Sequence, residues 1–213
     1  MASSAVSKRI STLAQIAQEL RQGKDFNITR LTSLKSLCAD PQAAGQFCLY
    51  LARLTQQKLQ DKEKPDHLEE EIWLHCKHLI NEATLEMETY LAEPTKEGEK
   101  LLQNLLSRVR EVNNQYKNQN WGPVRIIQST DALLIEKALC GILRPSESSD
   151  WGYQLAREYA EKYNPRYGNG LIPESAPMVE DIANFWSQYY FREPLDEWLN
   201  RQKSHSKASR KKS

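Results

Sequence analysis

Apolar residues recur in steps of three and four along most of this chain, and the pattern is longest between residues 66 and 118. Ile72, Cys76, Leu79, Ala83, Met87 and Tyr90 share one stripe of a 3.6-residue helix. Asp66 suits the N-cap, because its carboxylate can accept from the first-turn N–H groups. Glu69, Glu70 and Glu71 follow where the helix dipole favours anions. Pro94 cannot continue the helix and drives Glu93 out of the α region, so the chain breaks there. Thr95 can cap a second helix carrying Leu102, Leu105, Val109, Val112 and Tyr116, flanked by Leu101 and Leu106. Each helix would be on the order of 35 Å long. So short a connection predicts antiparallel neighbours.

The same periodicity predicts further helices on both sides. Val6, Ile10, Leu13, Ala17 and Leu20 form a first one, stopped at Gly23. Leu31, Leu34, Leu37 and Cys38 mark a short second. Asp40-Pro41 reads as an N-cap followed by proline at the first helical position, opening a helix that buries Ala44, Phe47, Cys48, Leu51 and Leu54. Residues 61–65 are a charged connector. Two helices meeting at Ala39-Asp40-Pro41 resemble one unit of a helical-repeat protein, but no second copy follows at a fixed period.

From Asn120 the texture changes. Trp121-Gly122-Pro123 breaks the long helix, and Val124-Arg125-Ile126-Ile127 is the one β-like run. Its nearest partner, Leu171-Ile172, is short, so it is expected to lie extended over the bundle. Ser129 or Thr130 should cap a helix with Leu133, Leu134, Ala138 and Leu139. After a loop at 145–149, Asp150 should cap another burying Trp151, Leu155, Tyr159 and Tyr163. An irregular loop at 164–174 precedes Ser175-Ala176-Pro177, a helix start followed by Val179, Ile182, Trp186 and Tyr190. A final turn carries Leu195, Trp198 and Leu199.

The fold class expected is therefore all-α: an irregular helical bundle organised on a long antiparallel hairpin (66–118). A loop-rich aromatic region (120–200) packs on the 1–119 bundle, and a disordered basic tail (201–213) follows. The tail has no apolar residue beyond one alanine and cannot offset the entropy of ordering.

A content of 39% hydrophobic and 27% charged residues permits a core, and no run approaches the length of a transmembrane helix. Cys38, Cys48, Cys76 and Cys140 lie widely apart within apolar patterns and form no CxxC, so they are expected as small core residues in a reducing compartment such as the cytoplasm. The first 18 residues lack acids, as organellar presequences do, but their helical spacing argues for a structural role. The net charge of +1 conceals an asymmetry: without the six cations of 201–213 it becomes −5.

Chemistry is sparse. His67, Glu71, His75, His78 and Glu82 share one helical stripe and are metal-ligand types, yet the stripe lies about 100° from the apolar one, towards solvent. His75, His78, Glu71 and Glu82 are the candidate ligands. No Glu-x-x-His pair recurs on two helices, and no nucleophile elbow, P-loop or dinucleotide fingerprint occurs. No cofactor is expected. Lys203, Lys207, Arg210, Lys211 and Lys212 form a basic tail without acids or interleaved aromatics, suited to sequence-independent attraction to polyanions. Twelve of the 18 aromatics lie between 120 and 200. With the loop residues Arg166 and Tyr167, the aromatics Trp186, Tyr189, Tyr190 and Trp198 are the candidate contact surface. The function expected is non-enzymatic: a scaffold, assembly factor or regulator, monomeric or dimeric, whose partner is another protein. The rivals are a nucleic-acid-associated protein using its tail and a metal-dependent enzyme.

Overall fold

The computed structural model describes residues 4–24, 26–60, 63, 70–119, 130–161 and 170–210. They are all-α except for one two-residue ladder. The chain divides into two compact units, Leu34–Arg166 and Met1–Ser33 with Tyr167–Ser213. The sequence division at residues 119 and 200 differs from this one: the N-terminal helix groups with the C-terminal segment.

The Leu34–Arg166 unit contains α2 (Leu34–Leu37), α3 (Pro41–Gln60), α4 (Glu70–Ala92), α5 (Lys96–Gln119), α6 (Thr130–Leu143) and α7 (Ser148–Glu161). Asp40 caps α3, its Oδ1 accepting from Gln42 N at 3.0 Å, with Pro41 first in the helix. Thr95 Oγ1 caps α5 by accepting from Gly98 N at 3.0 Å. Helices α4 and α5 leave only residues 93–95 between them and pack on each other. Glu82 meets Arg108 across that contact, each a similar distance from the turn, as antiparallel neighbours do. Helix α6 fills the middle, packing on α3, α4, α5 and α7. Its side chains Leu134, Ile135, Ala138, Leu139 and Cys140 are buried.

Helix α7 begins at Ser148, two residues before the sequence cap at Asp150. A 3-10 helix over Pro145–Glu147, where the sequence predicts a loop, leads directly into it, Ser148 N donating to Pro145 O, and the first side chains of α7 turn to the end of α2. So short a helix leaves carbonyls without intrahelical partners. Ser148 Oγ donates to Cys38 O at 3.0 Å and Ser149 Oγ to Lys35 O at 2.8 Å. Asp150 pairs with Lys35 Nζ at 2.6 Å.

The other unit contains α1 (Ser4–Arg21), β1 (Phe26–Asn27), a 3-10 helix (Ile28–Ser33), β2 (Gly170–Leu171), a second 3-10 helix (Pro173–Ser175), α8 (Ala176–Phe191) and α9 (Leu195–Arg210). Helix α1 packs on α8, and Arg21 pairs with Glu180. Gly23 (φ 83°) ends α1 in the left-handed region. Gly23 N donates to Leu20 O and Lys24 N to Glu19 O, the paired bonds of a Schellman stop. Leu171 pairs antiparallel with Phe26, so this segment's partner is β1. Residues 124–127, with Asp66, His67 and most of the 164–174 loop, lie outside the described residues.

The turn from α8 to α9 is held by side chains of α8. Arg192 takes φ 60°, Ser187 Oγ donates to Glu193 O at 3.0 Å, and Asn184 Oδ1 accepts from Leu195 N at 3.0 Å. Trp198 then stacks on Phe191 at 5.3 Å between centroids. Helix α9 runs on to Arg210, where composition predicts disorder. The difference is one of nucleation. Leu195 and Trp198 are buried and fix the first turn, so later residues only propagate a helix already started.

Candidate functional site

Helix α4 is buried on an unusually wide arc: Trp73, Cys76, Leu79, Ile80, Ala83, Thr84 and Met87 all face inward. It packs on α3, α5 and α6, and Ile80 and Thr84 supply a second buried row beside the predicted stripe. Thr84 satisfies its hydroxyl by donating to Ile80 O at 2.8 Å.

The opposite face is the unusual one. Leu74 and Leu85 are 55% and 61% exposed, and with Leu101 they are the large exposed apolar side chains among the described residues. Steps of four and seven place Leu74, His78 and Leu85 on one line along the helix. The leucines are eleven residues apart, about 16 Å along the axis. Polar contacts border this ridge on both sides. Towards α3, Gln56 Nε2 donates to Asn81 Oδ1 at 3.0 Å, Arg53 pairs with Glu88 at 2.5 Å, and Lys77 Nζ donates to Gln60 O at 3.3 Å. Towards α5, Arg108 pairs with Glu82 at 2.8 Å. Asn81, three residues past His78, falls on the same line, so a histidine and an asparagine stand between the two leucines.

The candidate metal ligands occupy the same face. Glu71, His75 and His78 are exposed, whereas Glu82 is engaged by Arg108. Among the described residues no group of three His, Cys, Asp or Glu side chains is arranged to hold a metal ion.

The aromatic candidates divide. Trp186 and Trp198 are fully buried and belong to the core of their unit, so they offer no contact surface; their size is what fills the space beneath α8 and α9. Tyr189 and Tyr190 are half-buried on α8. Tyr189 stacks on Phe185 at 5.7 Å and Tyr190 on Trp186 at 5.9 Å. Arg166 and Tyr167 lie outside the described residues. Of the basic candidates, Lys203 is exposed, Lys207 and Arg210 lie on the last turns of α9, and Lys211 and Lys212 are beyond them.

The four cysteines are buried free thiols. Burial pushes the Cys48 thiol up to about 12, with Cys140 nearby adding to the shift. Burial likewise raises Cys38 and Cys140, although Arg110, with Nη2 3.6 Å from Cys140 Sγ, opposes it for the latter. Thiols held protonated are poor nucleophiles and poor metal ligands. A cleft of about 260 Å³ between Glu180, Asp181, Pro194 and Asp196 presents carboxylates, but Glu180 is taken by Arg21.

The leucine ridge is absent from the predicted site residues. Its signal is in the sequence: Leu74 and Leu85 stand on the side of α4 directly opposite the stripe of Cys76, Leu79, Ala83 and Met87. No family model matches the chain, and no curated protein or solved structure matches it either.

Proposed function

We propose that this protein acts by binding another protein, as a scaffold, assembly factor or regulator, and that the outer face of α4 is its contact surface. The observation that carries the reading is the pair of exposed leucines at 74 and 85, aligned with His78 on a helix whose other large described apolar side chains are buried or half-buried. Leu74 and Leu85 keep 55% and 61% of their surface open, and covering the remainder would contribute on the order of 1 kcal/mol each. The helix is held against α3, α5 and α6, so a partner meets a surface already formed. A photo-crosslinking residue at position 74 tests this in cells. Discrete adducts are expected from position 74 and not from position 103, an exposed site on α5. Identical patterns from both positions would refute it.

A second reading, polyanion contact through the C-terminal helix, has one observation in its favour. The helical backbone continues to Arg210, which gives Lys203, Lys207 and Arg210 the spacing i, i+4, i+7. A Lys203→Ala/Lys207→Ala/Arg210→Ala variant should elute from heparin at lower salt than the natural chain. Unchanged elution would remove the idea.

A further inference from the structure

We infer that the partner of the α4 ridge is an amphipathic helix with basic residues flanking its apolar line; this rests on the protein-binding reading above. The argument is charge complementarity. Helix α4 carries Glu70, Glu71, Glu82, Glu86 and Glu88 against one cation, Lys77. That lysine is committed to its own surroundings: its Nζ donates to Gln60 O at 3.3 Å and lies 5.5 Å from the centre of the Trp73 ring. Glu82 and Glu88 are neutralised by Arg108 and Arg53. Glu70, Glu71 and Glu86 have no ion pair with any other described residue; Glu70 and Glu71 flank one end of the ridge, and Glu86 lies about 100° round the helix from Leu85, on the α5 side of the other end.

The shape of the surface points to the same occupant. Leu74 and Leu85 are three turns apart on a convex rod, and the side-chain bridges to α3 and α5 lie on either side of it. A second helix laid alongside reaches both leucines with apolar residues repeating every three or four positions. Its flanking side chains then fall beside Glu70 and Glu71 at one end, and its α5-side flank faces Glu86 at the other. Acidic flanks would meet like charge there, and basic flanks would be attracted; such charge choice sets specificity and encounter rate. A basic helix without an apolar line would leave the leucines wet. The ridge therefore selects for both properties together.

The test uses the full chain and two fluorescent peptides, amphipathic helices of about 18 residues that span the ridge, one built of leucine and lysine and one of leucine and glutamate in the same pattern. Fluorescence anisotropy should show the leucine–lysine helix binding at least about tenfold more tightly. Its advantage should shrink in a Glu70→Gln/Glu71→Gln/Glu86→Gln variant and in high salt. Binding of both should weaken in Leu74→Ser/Leu85→Ser, with unchanged circular dichroism showing that the variant is folded. Equal affinity for the two peptides, still dependent on the leucines, would overturn the charge inference while leaving the protein-binding reading standing. Affinities indifferent to the leucine substitutions would overturn both.

Discussion

The tightest helix contacts of the two units are made differently. In the Leu34–Arg166 unit the close approaches are made by missing side chains. A Cβ on Gly152 would sit 2.6 Å from Cys38 Sγ, one on Gly141 2.7 Å from Cys48 Sγ, and one on Gly45 3.0 Å from Leu91. In the unit of α1, α8 and α9 the space is filled by large rings: Phe185 against Trp186, Trp186 against Tyr190, and Phe191 against Trp198. Helices of the first kind approach closely and cannot take added volume. Helices of the second kind stand on side chains whose volume cannot be removed.

Trp198→Ala is the strongest test of the second half of that contrast. The ring is fully buried, and its loss should destabilise the chain by about 3–5 kcal/mol in denaturant unfolding. A loss below about 1 kcal/mol would show that the ring is not a support. Trp198→Phe should be much milder, because the indole Nε1 has no hydrogen-bond acceptor among the described residues and mainly volume is given up.

Gly141→Ala tests the other half, with an expected loss of about 1–3 kcal/mol from overpacking. Cys48→Ala removes the sulfur that the new methyl meets. The double variant should therefore be more stable than the two single losses predict by about 1 kcal/mol. Strict additivity would mean that the glycine is not there to admit the thiol. Gly23→Ala sharpens the comparison differently: no described residue other than its chain neighbours lies within 4 Å of its would-be Cβ, but its φ of 83° strains any side chain. About 1–2 kcal/mol should be lost, with no second-site rescue by a smaller neighbour.

The smallest effect is a pH dependence in the first unit. Burial raises the Glu161 carboxyl above its usual range, outweighing the Arg157 guanidinium beside it. The folded state thus holds this proton more tightly than the unfolded state does. Its contribution is fully present below the unfolded carboxyl range and is lost as pH rises through the raised folded value. Glu161→Gln should flatten the fall in melting temperature over that interval. A variant that melts in parallel with the natural chain at every pH would contradict it.

Much of the architecture is legible in periodicity. The stripe Leu102, Leu105, Val109 and Val112 is buried, and the caps at Asp40 and Thr95 and the stop at Gly23 stand where local chemistry puts them. What periodicity does not reach is anything fixed by partners distant in sequence. Ser148 and Ser149 are recruited by carbonyls 110 or more positions earlier, and Leu171 by Phe26. Helix α1 joins the C-terminal segment for the same reason, since its apolar stripe does not say what will cover it. Composition averaged over the tail predicts disorder after Arg201, whereas helix growth depends on the turn before it. The burial of Trp186 and Trp198 is readable from their helical spacing with Val179, Ile182 and Leu195, and aromatic density alone misassigns them to a contact surface. Leu74 and Leu85 were readable, because two leucines on the polar side of a long helix violate its own pattern.

The measurement that bears most directly on the function proposed is the unfolding free energy of Leu74→Ser/Leu85→Ser set beside that of Leu79→Ser, one turn away on the buried side. A surface kept for a partner predicts that the double variant stays within about 1 kcal/mol of the natural chain, while Leu79→Ser loses several. A loss of about 2 kcal/mol or more in the double variant would make the ridge part of the fold and contradict the account.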